Sequence, residues 1–168
     1  MDATAAPAAP PTATAAADAA TAGAATVGQA LRVLGHEVTL LDSPGEYVML
    51  EGLCMPGIPG PPPHHHPFSE FFYIAEGELD LMADGVWQRL AQGQSLTLAP
   101  GVVHTFRNPA ATATRFVTGF APRGFERFFA TFGVPADRPD ALEASVAPAV
   151  IERVMREAAD FGMYIVAP

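Results

Sequence analysis

Four residues in this chain carry side chains that could jointly hold a metal ion: His64, His66, Glu70 and His104. The first three lie in the run PPPHHHPFSE, which concentrates three of the five histidines of the chain. In an extended strand, residues two apart share a face. His64 and His66 therefore point one way and His65 the other. Glu70 opens the next apolar segment, with Phe72 on its face. His104 follows the turn Ala99-Pro100-Gly101 and starts the segment HTFRN, with Phe106 on its face. Antiparallel pairing could bring His104 beside the first two histidines. Imidazole suits Zn, Cu, Fe and Ni, and a carboxylate admits Mn. Three neutral imidazoles and one carboxylate around a dication leave a cationic site, suited to an anion or to an enol or phenol that ionises. Phe72 and Phe106 become candidates for the pocket lining. The histidine run is internal, which argues against a purification-tag remnant.

These residues need a frame of strands, and the surrounding text supplies one. EVTLLD, EYVMLEGLC, EFFYIA, ELDLMA, VWQRLA, SLTLAP, VHTFRN and TRFVTGF are short and rich in β-branched and aromatic residues. SPG, PGIPGPPP, AEG, ADG, AQG, APG and NPA punctuate them. Such spacing predicts an antiparallel sandwich or barrel. Asp84-Gly85 reads as a tight hairpin turn. Before the strands, TVGQALRVLG reads as a short helix ending at Gly35. After them, GFERFFATFG (124–133) reads as a short helix that packs Phe125, Phe128, Phe129 and Phe132 onto the barrel or a dimer partner, with a lid as the alternative. PAVIERVMREAADFG carries the clearest helical period, with Val150, Ile151, Val154, Met155, Ala158 and Phe161 on one stripe. Glu152 with Arg156 and Arg153 with Glu157 are i,i+4 pairs on the other side.

Composition removes several classes of function. The 168 residues include nine arginines, no lysine and 18 acids, for a formal charge of -9. That balance opposes binding to a phosphate backbone or an anionic membrane surface. Without lysine there is no Schiff-base chemistry and no Walker-type phosphate loop. The single cysteine, Cys54, makes no internal disulfide, which fits the cytoplasm. The opening stretch, residues 1–25, is nearly all Ala, Pro and Thr; it reads as a flexible tail and neither as a secretory signal nor as a membrane span. No helix-turn-helix is visible beside the barrel, so a transcription factor is not expected.

The run from Gly57 to Asn108 resembles the two motifs of the cupin superfamily. His64-x-His66, three residues, Glu70, six residues and Gly77 follow the first motif. The leading glycine departs from it, because Gly57 stands one residue too far from His64. Gly93, Gly101, His104 and Asn108 follow the second, while Ala99 occupies its proline position and Pro100 comes one place later. The resemblance covers roughly Gly35 to Phe132 and is strongest to single-domain bacterial cupins that are quercetin dioxygenase-like. It implies an all-β fold, a small antiparallel double-stranded β-helix (the cupin jelly-roll barrel), with helices after it and usually a homodimer. It also implies one divalent transition metal (Fe, Mn, Ni, Cu or Zn) held by His64, His66, Glu70 and His104. In quercetin-cleaving members the glutamate also acts as a base on the flavonol hydroxyl, a role that would fall to Glu70.

The expected organisation is a tail at 1–25, a barrel at 26–133 and a helical extension at 134–168 packed on the barrel. The expected function is a metal-dependent dioxygenase acting on a small enolisable or phenolic substrate. A non-redox isomerase or cyclase and a non-catalytic small-molecule-binding cupin are the alternatives. Small molecules, and neither nucleic acid nor membrane, are the expected partners.

Overall fold

Residues 26–166 are described by the computed structural model of the chain; the Ala/Pro/Thr-rich stretch 1–25, read above as a flexible tail, lies outside them. The strand-like segments all become strands. In chain order these are β1 (Ala30–Val33), β2 (His36–Leu40), β3 (Val48–Cys54), β4 (His64–His65), β5 (Ser69–Glu76) and β6 (Glu78–Ala83). β7 (Val86–Ala91), β8 (Ser95–Leu98), β9 (His104–Arg107) and β10 (Thr114–Ala121) complete the main run. Helix α1 (Glu126–Phe132) follows, then β11 (Val134–Pro135), α2 (Ala141–Ser145), α3 (Pro148–Glu157) with a 3₁₀ turn at Ala158–Phe161, and β12 (Tyr164–Ile165).

Two antiparallel sheets result. One has the order β11-β1-β2-β3-β10-β5-β8 and the other β12-β4-β9-β6-β7. Alternation along the strands decides what faces inward. In β3, Val48, Leu50 and Cys54 are buried, and in β5, Glu70, Phe72 and Ile74 are buried while Tyr73 lies 44% exposed. Two apolar clusters fill the interior. One holds Phe72, Ile74, Leu79, Leu81, Leu90, Leu98 and Phe116; the other joins Leu31, Val33, Val38, Leu50 and Phe120 to the helical residues Phe128, Phe132, Val154 and Ala158. The β6–β7 hairpin turns at Asp84-Gly85, where φ is 46° and 82°. Positive φ at both central residues matches the right-handed twist of the strands they join.

Three local expectations change. TVGQALRVLG is no helix: Ala30–Val33 pairs with β2 through a turn at Leu34 and Gly35, both at positive φ. Its buried Leu31 and Val33 alternate with the half-buried Ala30 and Arg32, and a run this short is decided by the partner strand rather than by its own propensity. On α3 the apolar stripe is narrower than expected. Val154 and Ala158 are buried, but Ile151 and Met155 are 43% and 51% exposed. Each residue steps about 100° around a helix axis, so positions four apart meet the barrel and their successors turn to solvent. Of the two expected ion pairs there, Arg153–Glu157 forms at 2.9 Å, whereas Arg156 turns to Glu157 at 2.8 Å. The segment after the barrel also contributes two short strands, β11 against β1 and β12 against β4. Among the described residues, no helix is long and apolar enough to cross a membrane.

Candidate functional site

Pairing places the four ligand candidates. β4 lies between β12 and β9, with His64 opposite His104. Glu70 comes from the facing sheet, on β5, where it pairs with Phe120 of β10. His64, His66, Glu70 and His104 each offer a donor atom, and these atoms lie within 4.8 Å of one another. All four residues are buried, at 2–6% exposure. Two donors about 2.0–2.1 Å from one ion lie at most about 4.2 Å apart, so an ion need draw the most distant pair together by little more than half an ångström.

The backbone fixes how each imidazole presents itself. The Nδ1–H of His64 donates to the Pro62 carbonyl at 2.8 Å, that of His66 to Gly162 at 3.0 Å, and that of His104 to Val102 at 2.9 Å. Carbonyls only accept, so Nδ1 carries the proton in all three rings, and the Nε2 atoms turn inward. Such outer bonds set the tautomer and orientation of metal-binding histidines. Glu70 is held from both sides. Its Oε1 accepts from the Thr118 hydroxyl at 3.0 Å, and its Oε2 lies 2.9 Å from His104 Nε2 and 3.6 Å from His66 Nε2.

Titration follows from these contacts. Burial pushes the pKa of His64 well below the usual imidazole value, and the nearby His104 and His66 push it the same way. Burial also lowers that of His66, against the pull of Glu70 and the Gly162 carbonyl. Burial opposes the charged form of His104, yet the hydrogen bond and charge of Glu70, helped by the Val102 carbonyl, outweigh it and raise its pKa. His64 and His66 thus present lone pairs at neutral pH. A proton on His104 Nε2, which lies 2.9 Å from Glu70 Oε2, would have to leave for that nitrogen to bind a cation, as is usual for such sites. Three neutral imidazole nitrogens and one carboxylate fit a divalent transition metal.

A cavity of about 90 Å³ opens on this cluster. Phe72 and Phe106, the sequence candidates for its lining, both face it, together with Phe116, Phe120, Phe125 and Phe128. Helix α1 and the residue that caps its start, Phe125, therefore close one wall: Phe125 meets the His66 ring edge-on at 4.7 Å, while Phe68 stacks on that ring at 4.6 Å. His65 faces outward and stacks on Tyr164 at 5.2 Å. Arg107 and Arg115 lie outside the cavity, Arg107 on Asp80 and Trp87, Arg115 on Glu51.

Three contributors were not singled out from sequence as part of the site: Thr118, Gly162 and His36. Thr118 sits mid-strand, and only the β10–β5 register carries it to Glu70. Gly162 has no side chain to single out, and only the fold brings its carbonyl to His66. His36 is buried on β2 and lines the cavity. Its Nε2–H donates to the Pro59 carbonyl at 3.0 Å and its Nδ1 accepts from the Met55 N–H at 3.2 Å. Both nitrogens are committed, so His36 is a wall residue and no ligand.

Comparison with known proteins agrees with this architecture. Residues 53–120 match the family model of the cupin domain. An RmlC-like cupin from Shewanella frigidimarina is 25% identical, with a TM-score of 0.50 over 56% of this chain and 85% of that one. A cupin 2 conserved barrel domain protein from Salinispora arenicola is 21% identical, with a TM-score of 0.50 over 60% of this chain and 88% of that one. Among curated proteins, the HTH-type transcriptional regulator SutR of Escherichia coli is 35% identical over 54 residues, which is 32% of this chain; the chain spans only 30% of that regulator's length. The fold is the cupin double-stranded β-helix, and the domain match supports placement in the cupin superfamily. Its buried three-histidine, one-glutamate cluster could hold a metal.

Proposed function

We propose that the protein is a metal-dependent dioxygenase, of the quercetin dioxygenase-like type, acting on a small enolisable or phenolic substrate. The observation that carries this reading is the convergence of three Nε2 atoms and one carboxylate inside a cavity whose other walls are almost wholly apolar. Among the described residues, no arginine lines that cavity, and Thr118 and both nitrogens of His36 are already hydrogen-bonded. A sugar phosphate or dicarboxylate would find no second cation there. A molecule with one ionisable head and an apolar body suits it better.

When bound, the metal supplies a Lewis-acidic centre at which an ionised substrate and dioxygen can meet. The chain's own residues do the rest. His64, His66 and His104 keep their Nε2 atoms aimed inward through the three Nδ1–H bonds. Glu70 would take the enol or phenol proton, with Thr118 steadying Oε1 while Oε2 accepts. Phe72, Phe106 and Phe125 exclude water from that proton and offer flat apolar faces. The cavity's volume of about 90 Å³ falls short of the roughly 150 Å³ that houses a buried benzene. A short diketone or enol therefore fits best, whereas an aromatic ring, in a simple phenol or a flavonol alike, needs the α1 wall to move.

Metal content measured by mass spectrometry on tag-free protein, followed by oxygen uptake with short diketones and simple phenols, tests the reading. Oxygen consumption that disappears in Glu70→Gln supports it. Turnover under anaerobic conditions with Zn would replace it by a non-redox isomerase or cyclase. A second reading, a non-catalytic small-molecule-binding cupin, draws on the partial likeness to a transcriptional regulator; ligand binding without turnover would favour it. A cytoplasmic homodimer belongs to the same proposal. The half-exposed Tyr47 and Tyr73 offer a face to a second copy, and light scattering on the eluted protein measures the mass.

A further inference from the structure

Of the three imidazoles, two are fixed from within their own loop. The carbonyls that hold His64 and His104 lie two residues before each of them. His66 differs: its acceptor, the Gly162 carbonyl, lies 96 residues away. That carbonyl belongs to a tight return at the end of the 3₁₀ turn, where Gly162 has φ of 83° and its N–H bonds to the Ala159 carbonyl at 3.0 Å. From there the chain runs straight into β12, the edge strand beside β4. Tyr164 pairs with His65 and Ile165 with His64, and the Val166 N–H donates to the Pro63 carbonyl at 2.8 Å. Met163, between the return and β12, is 3% exposed and lines the cavity. Around the His66 ring, Phe68 stacks at 4.6 Å and Phe125 and Phe120 meet it edge-on at 4.7 and 6.0 Å; none of these rings offers its Nδ1–H an acceptor to replace Gly162.

We propose that residues 162–166 are a positioning device for the metal centre, in which the Gly162 carbonyl sets the tautomer and rotation of His66 and β12 holds β4 in register. The physical reason is the scarcity of alternatives. A buried imidazole N–H without an acceptor costs about 1–3 kcal/mol. With Gly162 displaced, the ring escapes that cost by moving its proton to Nε2 or by turning Nδ1 toward Glu70. Either change removes the lone pair that the other three donors converge on. β4 is only two residues long, too short to define its own register, so a strand on each side is needed to present His64 and His66 together. The inference rests on the metal-site reading but not on oxygenase chemistry.

The experiment is a histidine-tautomer measurement by long-range ¹⁵N–¹H NMR on metal-free, tag-free protein, paired with Co(II) titration against a competing chelator. In the parent chain, His66 should carry its proton on Nδ1. In Gly162→Ala the left-handed φ is strained and the new Cβ meets Phe68 Cε1 at 3.0 Å, so the return should shift. The His66 signal should then move toward the Nε2–H form while His64 and His104 stay unchanged, and Co(II) affinity should fall about tenfold or more. Val166→Pro, which removes the donor to Pro63 and fixes φ at 166 while leaving Gly162 itself unchanged, should weaken Co(II) binding with His66 still protonated on Nδ1. It keeps the question answerable if Gly162→Ala does not fold. An Nε2–H His66 in the parent chain overturns the proposal, as do parent-like Co(II) affinities in variants that fold. A parent chain that takes up no Co(II) at all overturns the metal reading instead.

Discussion

Replacing Thr118 by valine removes one hydroxyl and keeps the branched shape of the side chain. The hydroxyl donates to Glu70 Oε1 at 3.0 Å, and Thr118 and Glu70 are only 5% and 6% exposed. Water therefore has little room to replace it. A hydrogen bond to a charged group contributes about 1.5–3 kcal/mol. At about 1.4 kcal/mol per tenfold, its loss weakens metal binding about 10- to 150-fold if the whole effect falls on the metal-loaded state. Loss of an outer-sphere partner at metal sites generally costs about 10- to 100-fold, so two independent routes agree. The same bond exists in the metal-free protein, and part of the cost can fall on folding. Chelator-competition titration with Co(II) and thermal melting of the metal-free protein separate the two shares. Thr118→Ser keeps the hydroxyl and should restore most of the affinity. A folded Thr118→Val protein with parent Co(II) affinity and an unchanged melt would refute the idea that this bond orients the carboxylate.

The remaining predictions concern the walls and the frame. Burial pushes the Cys54 thiol up to about 12, so the native protein should not react with a thiol reagent at pH 8, and one thiol should appear on unfolding. Burial also depresses the pKa of His36: its contribution to stability is present above the unfolded value near 6.5 and is lost as pH falls through the folded value. His36→Gln should therefore flatten the decline in melting temperature measured from pH 7 to pH 5. A Cβ on Gly60 would overlap the Phe106 backbone carbonyl on β9, so Gly60→Ala should destabilise by about 1–3 kcal/mol in denaturant titration and weaken Co(II) binding through the displaced His104 strand.

The candidate ligand set was legible because its signals are local. His-x-His needs only the two-residue period of a strand, and Glu70 opens the segment that follows. The period of the strands and the punctuation at Asp84-Gly85 pointed to an antiparallel barrel for the same reason. Matching the two motifs to a known family then tied His104 to the other three. Beyond that the text is ambiguous. TVGQALRVLG and β1 show why: ten residues of mixed apolar pattern support either period, and the choice is made by β2 and β11 on its two sides.

Sequence alone determined which side chains could bind a metal and that short strands would carry them, since side-chain chemistry and strand parity are properties of neighbouring residues. Tertiary structure alone decided that Thr118 steadies Glu70, that Gly162 orients His66, that His36 spends both nitrogens on backbone, and that α1 closes the cavity with Phe125. Each of those contacts joins residues far apart in the chain. Their partners are set by strand register and by how the helices settle on the barrel, and no periodicity in a one-dimensional text encodes either.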